Sequence, residues 1–140
     1  MLPTIGTIEA LTTPPGRGLV GGLAKSHRVI SFDRRGSGIS DPIEEPPTLE
    51  EQMDDVSAVL DACGSTSVAV EAEAEGAMLA VLYAATYPER VSHLILIHPM
   101  ARTTAAPGYE WAWESPEVRR RDFIQPSLAR WGTGANATAL

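Results

Sequence analysis

Val70-Glu71-Ala72-Glu73-Ala74-Glu75-Gly76-Ala77 decides the fold. A β-prone run over residues 67–72 leads through it into an alanine-rich stretch, residues 76–87, which carries Met78, Leu79, Leu82 and Tyr83 and stops before Pro88. A strand that turns at once into a helix needs small residues two before and two after the apex, because the backbone bends too tightly there for larger ones. Ala72 and Gly76 hold those places around Ala74. The spacing is that of a nucleophile elbow, with alanine where an attacking serine would stand. A methyl group has no oxygen to add to a carbonyl and nothing for a histidine to deprotonate, so acyl transfer of the serine type has no starting point at residue 74.

Upstream, Arg28-Val29-Ile30-Ser31-Phe32-Asp33 reads as a strand that runs into a glycine-punctuated loop, Arg34-Arg35-Gly36-Ser37-Gly38-Ile39-Ser40-Asp41. Thr48 and Glu51 then form a capping box ahead of a helix. Leu49, Met53, Val56, Leu60 and Cys63 share one face of that helix, and Gly64 supplies a left-handed stop. Downstream, residues 91–97 are a third apolar strand. Strand, helix, strand, helix, strand with short connections predicts right-handed parallel crossovers, hence an α/β sheet of about three strands flanked by helices. After His98 the texture changes. Pro99, Pro107, Pro116 and Pro126 interrupt the segment, and Trp111, Trp113 and Trp131 are spread through it. Short helices and loops are expected there, with the indoles packed on the sheet edge or on a partner. The division predicted is a core over residues 1–98 and an irregular or helical tail over 99–140.

One domain's worth of chain, 140 residues with 44% hydrophobic content, can bury a real core. A net charge of -7, from 18 acidic against 11 basic side chains, argues against nucleic acid or an anionic membrane as partner. No basic, apolar leader follows Met1, and a cytoplasmic protein is expected. The single cysteine, Cys63, excludes an internal disulfide and a multi-thiolate zinc site, and its place on a helical stripe reads as a buried inert thiol.

Residues 28–42, 49–64 and 84–91, with Trp131-Gly132-Thr133-Gly134, together resemble α/β-hydrolase-fold proteins over roughly residues 13–135. As a set they look most like the hydrolase-like domain associated with class III adenylate or guanylate cyclases of mycobacterial type. In that family the elbow reads Gly-x-Ser-x-Gly, which aligns with Ala72, Glu73, Ala74, Glu75 and Gly76, a degenerate elbow. The resemblance implies that the Glu75 amide keeps one oxyanion-hole donor, while the loop that would give the second has no counterpart in residues 1–20. It also implies that the acid and histidine of a triad belong to later strands, and that residues 99–140 match the start of a cap region. An earlier strand of the family's sheet lies between those matching residues 28–33 and 67–72. Here the slot is filled by the weak segment Thr4-Ile5-Gly6-Thr7-Ile8-Glu9, by direct pairing, or by another chain.

Other candidates read more plainly as structure. Glu71, Glu73 and Glu75, with Asp33 and His98, end neighbouring strands where a cation site is conceivable, but pairing with Arg34 or Arg35 and exposure to water explain them as well. Ser37 and Ser40 suit local hydrogen bonds in the glycine loop. His27 and His93 lie at strand starts and His98 at a strand end, while Glu44-Glu45 and Glu50-Glu51 read as a solvated rim and helix N-terminus. No catalytic residue, metal ligand or cofactor is therefore expected. The function predicted is a degenerate hydrolase-like domain, a structural or interaction module or a decayed fragment, prone to self-association or in need of a protein partner. Two alternatives stay open: a hydrolase or esterase acting through a nonstandard site or with a separately encoded half, and a regulatory module of a nucleotide cyclase.

Overall fold

The computed structural model describes residues 14–133. The chain divides into two units, Met1–Pro99 and Met100–Leu140. The first contains α1 (Pro14–Leu23), α2 (Leu49–Ala62), β1 (Val68–Glu73), α3 (Glu75–Thr86), a 3-10 turn (Pro88–Arg90) and β2 (Val91–Ile97). β1 and β2 pair in parallel, with Val70 opposite Leu94 and Ala72 opposite Leu96.

Local chemistry fixes α2 at both ends. The Glu51 amide donates to Thr48 Oγ1 at 3.2 Å and the Thr48 amide donates to Glu51 Oε2 at 2.8 Å, a complete capping box. At the other end Gly64 adopts φ 61°, and the Ser65 amide returns to the Leu60 carbonyl at 2.8 Å. Between the caps, Met53, Val56 and Leu60 turn inward to meet Val70 and Ala72 of β1 and Ala77, Leu79, Ala80 and Tyr83 of α3. Leu49 and Cys63, at the ends of the same stripe, are not buried: Leu49 is exposed and the Cys63 thiol is half-buried, because the stripe outruns the sheet it covers.

Residues 28–33 depart from expectation. Ile30 and Phe32 pack against the core, but among the described residues the segment joins no strand ladder, and the sheet there has two strands rather than three. Side-chain burial is satisfied there. A ladder also needs a neighbouring backbone edge about 4.8 Å away, and among the described residues the ladder formed is that of β1 with β2. Direct pairing with β1 is thus not adopted, and residues 4–9, the other candidate for that slot, lie outside the described residues. What anchors the segment is polar: the Ile39 amide donates to Asp33 Oδ2 at 3.0 Å, and Ser40 Oγ donates to the Asp33 carbonyl at 2.6 Å. Among the described residues of this unit, Asp33 is the buried charged one. At the opposite end of the sheet, Arg28 reaches Ser65 Oγ, and Arg90 bridges Asp61 at 2.7 Å. α1 was not foreseen; its four glycines disfavour helix.

The second unit is described by itself. Isolated bridges join Thr104 to Trp113 and Ala106 to Tyr109. α4 (Pro116–Arg119), capped by Ser115, runs through a π-helical turn (Arg120–Ile124) into α5 (Gln125–Arg130). Pro126 explains the wide turn, since its ring would strike the carbonyl four residues back in a regular α-helix. None of the described residues of this unit is buried. Trp113 leans on Phe123 with ring centres 6.2 Å apart, whereas Trp111 and Trp131 stand 74% and 76% exposed.

Gly36 holds the glycine loop at φ 76°, and a Cβ built there would lie 2.6 Å from Ile43 Cγ1. Gly36→Ala is expected to destabilise the chain by about 1–3 kcal/mol, from left-handed strain and overpacking together, as a lower midpoint in urea denaturation.

Candidate functional site

β1 and α3 meet without a loop. Ala74 is the single residue between them, at φ 48° and ψ -117°, a conformation sparsely populated by residues with a Cβ. Its amide donates to the Ile97 carbonyl at 2.9 Å, so the ladder reaches the apex of the turn. Its carbonyl accepts from the Ala77 amide at 3.1 Å, so the helix begins there. Ala72 is fully buried and Gly76 is buried, which is why both must be small. His98, ending β2, also has positive φ, 49°. The C-terminal edge of this short sheet therefore holds two strained non-glycine residues side by side.

The charged groups at this edge are loosely arranged. His98 Nδ1 lies 3.7 Å from Glu73 Oε1, with the two side chains 82% and 57% exposed. That is beyond hydrogen-bond length and largely in water. Arg34, from the glycine loop, stands 3.7 Å from Glu75 Oε1. Arg35 turns away to a two-pronged pair with Asp55 of α2, its Nε donating to Oδ2 at 2.7 Å. Of the five groups that sequence brought forward as a conceivable cation site, Glu73 stands near His98 and close enough to Glu71 to repel it, while Asp33 bonds within the loop and Glu75 faces Arg34. Among the described residues, no three His, Cys, Asp or Glu side chains converge in a way that could hold a metal ion. Ser37 Oγ donates to the Arg34 carbonyl at 2.8 Å and Ser40 serves Asp33, so both hydroxyls are used locally. His27 and His93 are exposed.

Glu71 is the group that sequence reading passed over most lightly. Its Oε2 is buried without a hydrogen-bond partner. Burial, with repulsion from Glu73 added to it, holds its carboxyl above the ordinary value of 4.5. The only sequence signal was a carboxylate in the middle of a β-prone run.

Two clefts flank the glycine loop. One, of about 310 Å³, lies among Phe32, Arg34, Ser37, Pro47, Gln52 and Asp55. The other, of about 540 Å³, lies among Asp33, Ile39, Ser40, Ile43 and Ala58. Neither is lined by residues 71–76 or by His98, so the turn that would present a nucleophile opens into neither of these cavities.

With that geometry in place, the comparison with known proteins is direct: a family model described as alpha/beta hydrolase fold matches residues 14–134. The chain belongs to the alpha/beta hydrolase fold family. Among curated relatives, cis-3-alkyl-4-alkyloxetan-2-one decarboxylase of Shewanella oneidensis is 33% identical over 86 residues, 59% of this chain and 27% of that protein. The putative carbamate hydrolase RutD of Azorhizobium caulinodans is 35% identical over 80 residues, 57% of this chain and 30% of that protein. The chain thus spans less than a third of the length of the curated relatives it matches.

Two measurements check this geometry. Ala74→Gly relieves the positive φ and is expected to be neutral or to stabilise by up to about 1 kcal/mol, the relief being partly offset by the freer unfolded chain; thermal melts of the two proteins decide it. For Glu71, the native state holds its proton more tightly than the unfolded chain does. The stability this contributes is present below the unfolded value and is lost as pH rises through the folded one. Glu71→Gln should therefore melt above the wild type at about pH 7 and lose that advantage near pH 4.

Proposed function

We propose that this chain is a non-hydrolysing member of its fold family that serves as a structural or interaction module, with Ala74 in the nucleophile position. The observation that carries the reading is the alanine at φ 48° between β1 and α3. The backbone there has the form of an elbow, and the side chain has no nucleophile. Its surroundings agree. His98 and Glu73 are too far apart and too wet to orient one another as base and acid, and the two clefts beside the glycine loop do not reach residue 74. The Glu75 amide alone is an incomplete oxyanion hole, and losing one such donor costs about a hundredfold or more in rate where a hole exists.

No helix among the described residues is long and apolar enough to cross a membrane; a cytoplasmic setting is part of the proposal. A carboxylate-based site gains little, since Glu75 faces Arg34 and Glu73 faces solvent. The link to a nucleotide cyclase rests on sequence resemblance alone. One other reading has an observation behind it. The relatives are more than three times as long as the stretch they share with this chain, so further polypeptide could complete a hydrolase around it.

Purified chain incubated with p-nitrophenyl acetate is expected to release nitrophenol at the buffer rate, and Ala74→Ser is expected to leave that rate unchanged. Turnover that follows the protein through successive chromatographic steps would overturn the proposal. Burst release from the Ala74→Ser variant alone would show that His98 can act as its base.

A further inference from the structure

Three segments of the first unit enter the same end of the sheet, and two of them bring an arginine to the third. Ser65 follows the Gly64 stop of α2 on the way into β1, Arg90 closes the 3-10 turn that leads into β2, and Arg28 opens the segment 28–33. The parallel register, with Val68 opposite Val91, sets the entry to β1 beside the entry to β2. Arg28 Nη2 donates to Ser65 Oγ. Arg90 Nη2 donates to the Ser65 carbonyl at 3.4 Å and to Asp61 Oδ1 at 2.7 Å. Two guanidinium groups therefore bond to one residue.

Donors outnumber acceptors at this point. A guanidinium carries five N–H groups and no acceptor. Arg28 ends on a neutral hydroxyl, and among the described residues it forms no ion pair, although the chain has 18 acidic side chains. Arg90 Nε is buried without a hydrogen-bond partner. Ser65 Oγ accepts from Arg28 and so keeps its own hydrogen to give. Asp61 answers one of the two charges, from a side chain 67% exposed, and Glu89 acts on Arg90 through its charge without forming an ion pair with it.

We infer that Arg28, Ser65 and Arg90 form a binding site for a phosphate dianion, free or as the terminal group of a phosphate monoester. A phosphate presents several acceptor oxygens at once, which suits forked donors better than the single oxygens they now hold, and charge-assisted bonds of this kind are the stronger ones. It also offsets the repulsion between two cations held at one residue. The remaining N–H groups of Arg28 and the Ser65 hydroxyl supply the direct bonds, while Arg90 adds its charge. Asp61 competes with the anion for Arg90, so its removal strengthens the site. The site lies at the end of the sheet away from Ala74, and the inference is independent of whether the chain hydrolyses anything.

Titration of the full chain with inorganic phosphate, at fixed ionic strength and with chloride as the control anion, is followed by amide chemical shifts in nuclear magnetic resonance. Saturable binding with a dissociation constant on the order of a millimolar is expected, with the largest shifts at residues 64–67 and 90. Arg28→Gln, at an exposed residue, should weaken binding about tenfold or more, and Asp61→Asn should tighten it about threefold or more. Because the second variant predicts a gain, a loss of folding cannot imitate it. Phenyl phosphate distinguishes the source of the dianion: tighter binding than inorganic phosphate assigns a monoester, and equal or weaker binding assigns the free ion. Shifts that do not saturate overturn the inference. So do saturable shifts that map elsewhere, an Arg28→Gln chain that binds as well as the unmodified one, or weaker binding by Asp61→Asn.

Discussion

The hydrogen bond between Tyr83 and Ser57 ties the first unit together. Tyr83 has no exposed surface, and a buried phenol must find a partner or forgo its water. It finds Ser57 Oγ on α2 at 3.0 Å, while its ring meets that of Tyr87 at 5.0 Å. One residue thereby fixes the spacing of α2 from α3 and places the end of α3 against the 3-10 turn that leads into β2. The small residues Ala72, Ala77 and Ala80 are what let so large a side chain sit between two helices and a two-stranded sheet. Seen from Tyr83, the smallness of the residues around the elbow is a packing requirement.

That requirement accounts for the persistence of a strained turn with no reactive side chain. Backbone strain of this kind survives only where the surroundings over-determine it. Here β1 is held by its ladder up to the Ala74 amide, and α3 is held by Tyr83 and Ala80 three turns' worth of helix or less away. With both elements placed, the one residue joining them has little freedom. A turn of this shape needs no nucleophile at its apex, because the packing on either side is enough to demand it.

Much of this was legible in the sequence because it rested on local chemistry. Thr48 and Glu51 start a helix wherever they occur at that spacing, Gly64 stops one, and Ala72 and Gly76 bracket a tight turn. In segment 28–33, Val29, Ile30 and Phe32 report a wish for burial, which is met for Ile30 and Phe32, but burial alone does not name the partner edge, and one candidate for it, residues 4–9, lies outside the described residues. α1 was missed because propensity counts its glycines against it. The π turn was missed because Pro126 acts on a carbonyl four residues earlier. At the site, the alanine and the pairing of a loop arginine with one of the acidic residues could be read in advance. The buried, partnerless oxygen of Glu71 could not, since it depends on which side of a short sheet is closed.

All three indoles, Trp111, Trp113 and Trp131, belong to the unit in which no described residue is buried, while the aromatic content of the packed unit is Phe32, Tyr83 and Tyr87. Tryptophan emission from this protein is therefore a gauge of the wrong half. The indoles report on the surroundings of residues 100–133, where Trp111 and Trp131 are about three-quarters exposed, and none of them lies in the core around Tyr83. A spectroscopist who wants a reporter inside the first unit has Tyr83 and Tyr87 to follow by absorbance, or a tryptophan placed at Phe32.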